Sequence, residues 1–103
     1  MGAMQREHRF GVTDFTFDAN VTATNTTQES DVTIPGLTTD MFVAVNKSSH
    51  STGVGIVNAR VKAADTLSLT YVNATGSGVN PASETYRLFW FKPDGIQSDR
   101  VNP

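Results

Sequence analysis

Apolar and polar residues alternate in short runs along this chain, and turn-forming residues separate the runs. In Val57–Lys62 and Leu67–Val72, large apolar side chains recur at every second position with Asn, Arg, Lys, Ser or Thr between them. This period of two is that of a β-strand with one buried and one wet face. No segment keeps apolar residues at helical spacing for three turns, and the 14 threonines disfavour helix further. The pattern therefore predicts an all-β protein.

Turn signals divide the pattern into successive strands. Pro35-Gly36 suits the centre of a type II turn, and Ala63-Ala64-Asp65 predicts the tight turn of a β-hairpin. Met41–Asn46 is apolar on both faces, which predicts a central strand, whereas Ala74–Ser83 is predicted as a loop. The other predicted strands are Phe10–Ala23 as one long irregular strand or two short ones, Val32–Ile34, Val54–Lys62, Leu67–Val72 and Thr85–Lys92.

About six to eight short strands in 103 residues predict a single small two-sheet β-sandwich or a jelly-roll-like barrel. The predicted core consists of apolar residues on inward strand faces: Phe15, Phe17, Val32, Ile34, Val43, Val45, Val57, Val61, Leu67, Leu69, Tyr71, Leu88 and Trp90. At ~1.5–3 kcal/mol for each fully buried large side chain, this core is thin against the conformational entropy of the chain. We therefore expect the domain to gain stability from oligomerisation.

The order of charged and apolar residues divides the chain into four segments. Residues 1–4 are typical of a remnant of an expression vector, and residues 5–9 are predicted to form a charged N-terminal arm. Residues 10–95 hold the predicted β domain, and residues 96–103 are predicted to form an irregular tail.

Composition excludes several classes of function. The chain has no cysteine, which removes disulfides, thiolate metal sites and cysteine nucleophiles. A net charge of −2 offers no broad basic surface to nucleic acid or to an anionic membrane. The sequence shows neither an apolar run long enough to cross a membrane nor a secretory leader.

Patterns that would carry catalysis or ligand binding are weak. His8 and His50 lie far apart in sequence and form no ligand pair by spacing. A Ser-His-Asp triad can be composed from Asp40, His50 and a serine at position 48, 49 or 51, but no nucleophile elbow accompanies it. We therefore expect a protein that is not an enzyme, without catalytic residues, metal or cofactor.

The last predicted strand carries aromatic side chains on both faces. Tyr86 and Trp90 share the face that fills the core, whereas Phe89 and Phe91 point away from it. For these two phenylalanines, a subunit or partner interface, a stacking platform for a glycan, and packing under the arm or tail all stay open. The candidate interface residues are Arg6, His8, Arg9, Phe10, Lys47, His50, Phe89 and Phe91.

Several segments, in this order and spacing, carry a resemblance to a known family. The segments are Thr33–Leu37, Asp40–Asn46, Gly55–Leu69, Val72–Thr75 and Asn80–Tyr86. Together they resemble a small β domain of tailed-bacteriophage virion proteins, in which a Pro-Gly turn, an Ala-Arg-Val hairpin and a Pro-Ala-Ser-Glu-Thr-Tyr segment recur. The resemblance covers about residues 30–92, so the arm and the tail lie outside it.

The resemblance implies a virion structural role and transfers no catalytic residue. It implies a capsid decoration (cement) protein that binds the major capsid protein and stabilises the shell on the outer capsid surface, after synthesis in the host cytoplasm. We expect a symmetric homo-oligomer, with a trimer favoured, in which residues 5–10 reach a neighbouring subunit or the capsid protein. The alternative is a glycan- or host-binding module of a head fibre or tail, using residues 86–91 or the loop 47–53.

Overall fold

A computed structural model describes residues 9–20 and 22–93, and it contains six β-strands within those ranges. The strands are β1 (Phe10–Phe17), β2 (Thr26–Thr33), β3 (Phe42–Lys47), β4 (Val54–Ala63), β5 (Thr66–Asn73) and β6 (Glu84–Phe91). The predicted vector remnant, residues 5–8 of the arm and the tail lie outside the described residues.

The strands form two three-stranded antiparallel sheets that pack together as a small β-sandwich, as the alternating pattern predicted. One sheet has the order β1, β6, β3 and the other has the order β2, β5, β4, so β6 and β5 are the central strands. The β4–β5 hairpin joins neighbours within one sheet, whereas every other connection between consecutive strands passes from one sheet to the other.

The two central strands supply the middle of the core. Leu67 and Leu69 of β5 and Leu88 of β6 are fully buried. Tyr71 and Tyr86 are also fully buried, and their hydroxyls hydrogen-bond to each other, which links the two sheets through the core. Burial, followed by this hydrogen bond, raises the pKa of Tyr71 above its ordinary value.

The predicted β4–β5 hairpin is confirmed, and it also holds the Pro35-Gly36 turn in place. Ala63 pairs with Thr66, which leaves a two-residue loop in which Asp65 adopts a φ of 61°. The Asp65 carboxylate accepts a hydrogen bond of 2.7 Å from the backbone N–H of Gly36, whose own φ is 99°. Each turn thus contains a residue in the left-handed region, and a hydrogen bond joins the two turns.

The prediction that Val57 belongs to the core is wrong, because β4 contains a β-bulge at this residue. The register shifts between Ile56, opposite Tyr71, and Asn58, opposite Thr70, and Val57 is left without a partner in the ladder. Its side chain is 58% exposed, and Ile56 packs against the core instead. A bulge inserts one residue and reverses the alternation, which a continuous period of two does not reveal.

The prediction that Met41–Asn46 forms a central strand is also wrong, because β3 is an edge strand that, among the described residues, pairs only with β6. Val43 and Val45 pack against the core as predicted, whereas Phe42 and Ala44 on the other face are exposed. The apolar residues on both faces of β3 therefore reflect an uncovered outer face and not a layer of protein above it.

The region between β1 and β2 differs from its predicted form. Strand β1 ends at Phe17, and β2 begins at Thr26 within a polar stretch where no strand was predicted. Thr22 instead forms an isolated bridge with Val79, which fixes part of the predicted 74–83 loop. The buried side chain of Asn73 donates to the backbone oxygens of Thr22 and Ser77 and completes this junction.

Candidate functional site

The outer face of the β1–β6–β3 sheet carries a cluster of apolar side chains, which we call the phenylalanine face. Residues that lie opposite one another on neighbouring antiparallel strands point to the same side of a sheet, so strand pairing sorts the cluster into two rows. The first row consists of Phe10, Phe91 and Phe42, and the second row consists of Val12, Phe89 and Ala44.

The side chains of this face are exposed to an unusual extent for apolar residues. Phe10 is 64% exposed, Phe42 is 68% exposed, Val12 is 61% exposed and Phe89 is 43% exposed. The rings of Phe42 and Phe91 stack with their centroids 6.5 Å apart and their planes within 4° of parallel. A contiguous exposed patch of this kind marks an interaction surface more often than scattered single residues do.

The alternation of β6 explains why the face forms. Its even positions, Tyr86 and Leu88, fill the core, and its odd positions carry Phe89 and Phe91 to the outside. Phe10 and Phe42 then join Phe91 because β1 and β3 flank β6 in matching register. The face is therefore assembled from three strands that are distant in sequence.

A polar row borders the phenylalanine face along the same sheet. Arg87 binds the Asp14 carboxylate with both ends of its guanidinium group, at 2.8 Å from Nε and 3.1 Å from Nη2. This hydrogen-bonded guanidinium lowers the pKa of Asp14 and is itself held charged. Asn46 lies opposite Arg87 on β3 and completes the row. The border thus carries both signs of charge, already paired with each other.

The outer face of the other sheet has the opposite character. Arg60 bonds Glu29 at 3.1 Å, Lys62 bonds Asp31 at 2.9 Å, and Ser68 donates to Asp31 at 2.7 Å. The hydrogen bond from Ser68, followed by that from Lys62, lowers the pKa of Asp31. This face has the charged surface expected of a solvated sheet, so the phenylalanine face differs from it within one molecule.

A second cluster surrounds Glu84 at the opposite end of the β1–β6–β3 sheet. Its carboxylate accepts hydrogen bonds from the Lys47 ammonium group at 2.9 Å, the Ser48 hydroxyl at 2.9 Å, and the Ser49 backbone N–H at 2.9 Å and hydroxyl at 2.8 Å. These donors, with Lys47 contributing most, lower the pKa of Glu84 to about 2. The cluster fastens the polar segment after β3 to the start of β6.

Several residues of the Ser-His-Asp triad that the sequence suggested make other contacts in the structure. The hydroxyls of Ser48 and Ser49 both donate to Glu84, and the Asp40 carboxylate accepts from the Thr38 hydroxyl. His50 is exposed. In residues 9–20 and 22–93, no three His, Asp or Glu side chains are placed to hold a metal ion. The same part of the chain has no helix long and apolar enough to cross a membrane.

Two pockets are lined in part by residues of the β1–β6–β3 sheet. One, of about 280 Å³, is lined by Thr13, Ile34, Pro35, Gly36, Leu37, Met41, Leu88 and Trp90. The other, of about 300 Å³, follows the polar row and is lined by Asp14, Asn46, Lys47, Ser48, Thr85, Tyr86 and Arg87.

The structure unites some of the predicted interface residues and separates others. Phe10, Phe89 and Phe91 lie together on the phenylalanine face, and Arg9 is exposed just before it. Lys47 and His50 lie at the far end of the sheet, where Lys47 is bound to Glu84. Arg6 and His8 lie outside the described residues.

Sequence reasoning missed Val12, Phe42 and Ala44 as members of the face. Their signal was present in the apolar outward positions of β1 and β3, but the interpretation of β3 as a central strand assigned Phe42 and Ala44 to the interior.

The chain matches no known protein family, no curated protein and no solved structure. Its function is therefore argued from the geometry of the phenylalanine face together with the resemblance in the sequence.

Proposed function

We propose that this protein is a non-enzymatic structural component of a bacteriophage virion. In this role it is a capsid decoration (cement) protein that binds and stabilises the shell, on the outer capsid surface, as a symmetric homo-oligomer. The observation that carries the proposal is the contrast between the two outer sheet faces: one is covered by exposed phenylalanines and the other by paired charges.

The contrast favours a role in assembly because apolar surface in water is unfavourable by about 25 cal/mol per Å². A sheet face that stays in contact with water does not require three phenylalanines aligned on it. Contact with another protein chain removes such a face from water, and a broad flat sheet suits protein contact better than capture of a small molecule.

The resemblance of residues 30–92 to a phage virion domain supports the capsid as the larger assembly. Its segments coincide with the turn at Pro35, the β4–β5 hairpin and the start of β6, which together hold the sandwich in shape. The major capsid protein is the partner that this role requires, and oligomers multiply each weak capsid contact through avidity.

Capsid binding is tested with shells of the phage that encodes the chain, assembled without it. Purified protein added to these shells should bind to saturation at symmetry-related sites, appear as density on the outer surface by electron microscopy, and raise the temperature at which shells rupture. Shells that bind no protein, together with native particles that lack its density, would overturn the proposal.

The proposed contribution of the arm is tested by a deletion that spares the sheet. Removing residues 5–8 leaves β1 intact, including the hydrogen bond of 2.7 Å from the Lys92 N–H to the Arg9 carbonyl. We expect the shortened protein to fold and to lose capsid affinity. Saturation of shells at unchanged affinity would remove the arm from the capsid contact.

A glycan-binding module of a head fibre or tail is the second candidate, and a specific arrangement favours it. The exposed ring of Phe42 stacks on the half-buried ring of Phe91. Both lie on the same sheet face as Asp14, Arg87 and Asn46, which offer hydrogen-bonding groups to sugar hydroxyls. A glycan array showing binding that Phe42→Ala abolishes, with no binding to shells, would decide for this candidate.

A further inference from the structure

We infer that the phenylalanine face is the contact between two copies of this chain, related by a twofold axis. The inference rests on the proposed function in one respect, because it names the surface through which the proposed homo-oligomer forms. The occupant of the face is a second copy of the chain. Two properties of the face support this: the sizes of its side chains and the distribution of charge beside it.

The two rows of the face differ in height. Phenylalanines stand at both edges of the first row, at Phe10 on β1 and Phe42 on β3. One row further along the same strands stand the smaller Val12 and Ala44. In the centre, on β6, both rows carry a phenylalanine. The face is thus high at the edges of one row and low at the edges of the next.

A twofold axis that runs across the strands, midway between the rows, matches these heights. Such an axis turns the second copy over and lays each strand on its own counterpart, with the first row above the second. Phe10 then faces the partner subunit's Val12, and Phe42 faces the partner subunit's Ala44. At both edges of the sheet a large side chain meets a small one, whereas in the centre Phe91 faces the partner subunit's Phe89, ring against ring. The pattern repeats identically on both subunits, as an isologous contact requires. Two sheet faces pack in this manner about 10 Å apart.

The distribution of charge beside the phenylalanine face also supports a second copy as its occupant. In the described row that borders Val12, Phe89 and Ala44, the charged side chains are Asp14 and Arg87, and they are paired with each other within one chain. The approaching partner therefore needs no compensating charge, and a second uncharged apolar face satisfies the contact. In the twofold arrangement this polar row lies at the rim, where the pair stays in water.

The inference sets the number of chains at two, whereas the sequence favoured a trimer. A threefold ring joins two different surfaces of each subunit, so it does not use the self-matching relief of one face. The number of chains in the oligomer therefore tests the inference directly.

The first experiment measures the mass of the full 103-residue chain in solution by sedimentation velocity over a range of concentrations. The unmodified protein should be a dimer. Ala44→Arg places a long charged side chain under the partner subunit's Phe42 and should raise the dissociation constant by about 30-fold or more, the effect of disrupting one well-packed hot-spot contact. Circular dichroism checks that the variant is folded.

Thr27→Arg is the matched control for this variant. Thr27 is also exposed and also lies on an edge strand, but on the charged sheet. Its substitution should leave the dimer unchanged. A monomer or a trimer for the unmodified protein, or a dimer that Ala44→Arg does not weaken, would overturn the inference.

The second experiment tests the register of the contact with apolar residues alone. Ala44→Phe sets phenylalanine against phenylalanine, and Phe42→Ala sets alanine against alanine, so each single variant should weaken the dimer. The double variant exchanges the two residues and restores one large against one small side chain, so it should recover most of the affinity. Additive losses in the double variant would reject this register.

Both experiments use the isolated protein, so their outcome is separate from capsid binding. A dimer that fails to bind shells overturns the proposed function and keeps the interface. Shells that bind a trimer keep the function and overturn the interface, and shells that bind a monomer keep capsid binding but overturn both the interface and the proposed homo-oligomer.

Discussion

At the scale of single residues, Glu84 gives the structure a defined response to acid. Its folded pKa of about 2 lies below the ordinary value of 4.5, so the unfolded chain binds a proton at higher pH than the folded chain does. The stabilisation from Glu84 is complete above pH 4.5 and is lost as the pH falls towards 2. Glu84→Gln should lower the free energy of unfolding at neutral pH and flatten its fall between these pH values, as measured by urea denaturation.

Glu29→Gln is the control for this prediction. Glu29 has a lowered pKa because of its bond to Arg60, but it lies on an open sheet face and accepts from fewer groups than Glu84 does. Its substitution should change the acid dependence less. Equal flattening by the two variants would show that the Lys47, Ser48 and Ser49 donors have no special effect on Glu84.

The Glu84 cluster was beyond the reach of sequence reasoning for a physical reason. Its donors at 47–49 lie 35 to 37 positions before Glu84, and only the pairing of β3 with β6 brings them together. Lys47 was predicted as an interface residue. Its ammonium group instead lies over the Tyr86 ring, 6.0 Å from the centroid, and bonds a carboxylate that pattern analysis had left unassigned.

At the scale of strands, the pairing of β1 with β6 depends on a glycine. Gly11 lies opposite Trp90, and a Cβ atom at Gly11 would lie 2.6–2.7 Å from the indole ring. Gly11→Ala should therefore force the ring or the strand to shift and lower the free energy of unfolding by about 1–3 kcal/mol. Thermal or chemical denaturation measures this loss, with tryptophan fluorescence reporting the displaced ring.

Gly55→Ala on β4 is the matched control, because open space surrounds the position of its added methyl group. Alanine in a strand is favoured over glycine by roughly 0.5–1 kcal/mol, so this variant should be neutral or slightly stabilising. A similar loss for both variants would mean that the cost at Gly11 comes from the backbone and not from Trp90.

The sequence could predict those features of the strands that depend on residues close together in the chain, and not those that depend on distant residues. The β4–β5 hairpin depends on adjacent residues and a two-residue loop, and its alternation identifies it. The bulge at Val57 depends on which β5 residues lie opposite, and the edge position of β3 depends on the order of strands that are far apart in the chain. Apolar residues on both faces are equally consistent with a central strand and with an edge strand whose outer face binds a partner.

The same reasoning explains the partial prediction of the candidate site. Phe89 and Phe91 followed from the alternation within β6 alone. Val12 and Ala44 could join them only once the register on both sides of β6 was known, since each lies opposite Phe89 on a different strand.

At the scale of the whole molecule, the proposed pairing through the phenylalanine face would couple stability to concentration. A dimer that dissociates on unfolding is stabilised by mass action, and its melting temperature should rise by roughly 3–6 °C for each tenfold increase in protein concentration. Scanning calorimetry at several concentrations measures this slope. The slope should decrease for Ala44→Arg, and a slope of zero for the unmodified protein would contradict the coupling.

The ion pairs on the second sheet decide where such pairing ends. A sandwich with apolar side chains on both outer faces would stack copy upon copy into an open filament. Here the second face presents Glu29, Asp31, Arg60 and Lys62, and burying them against another copy would strip water from four charges. In the proposed dimer, two chains joined through their phenylalanine faces turn these charged sheets to the outside. Growth of that dimer would therefore stop at a closed pair, without forming a fibre.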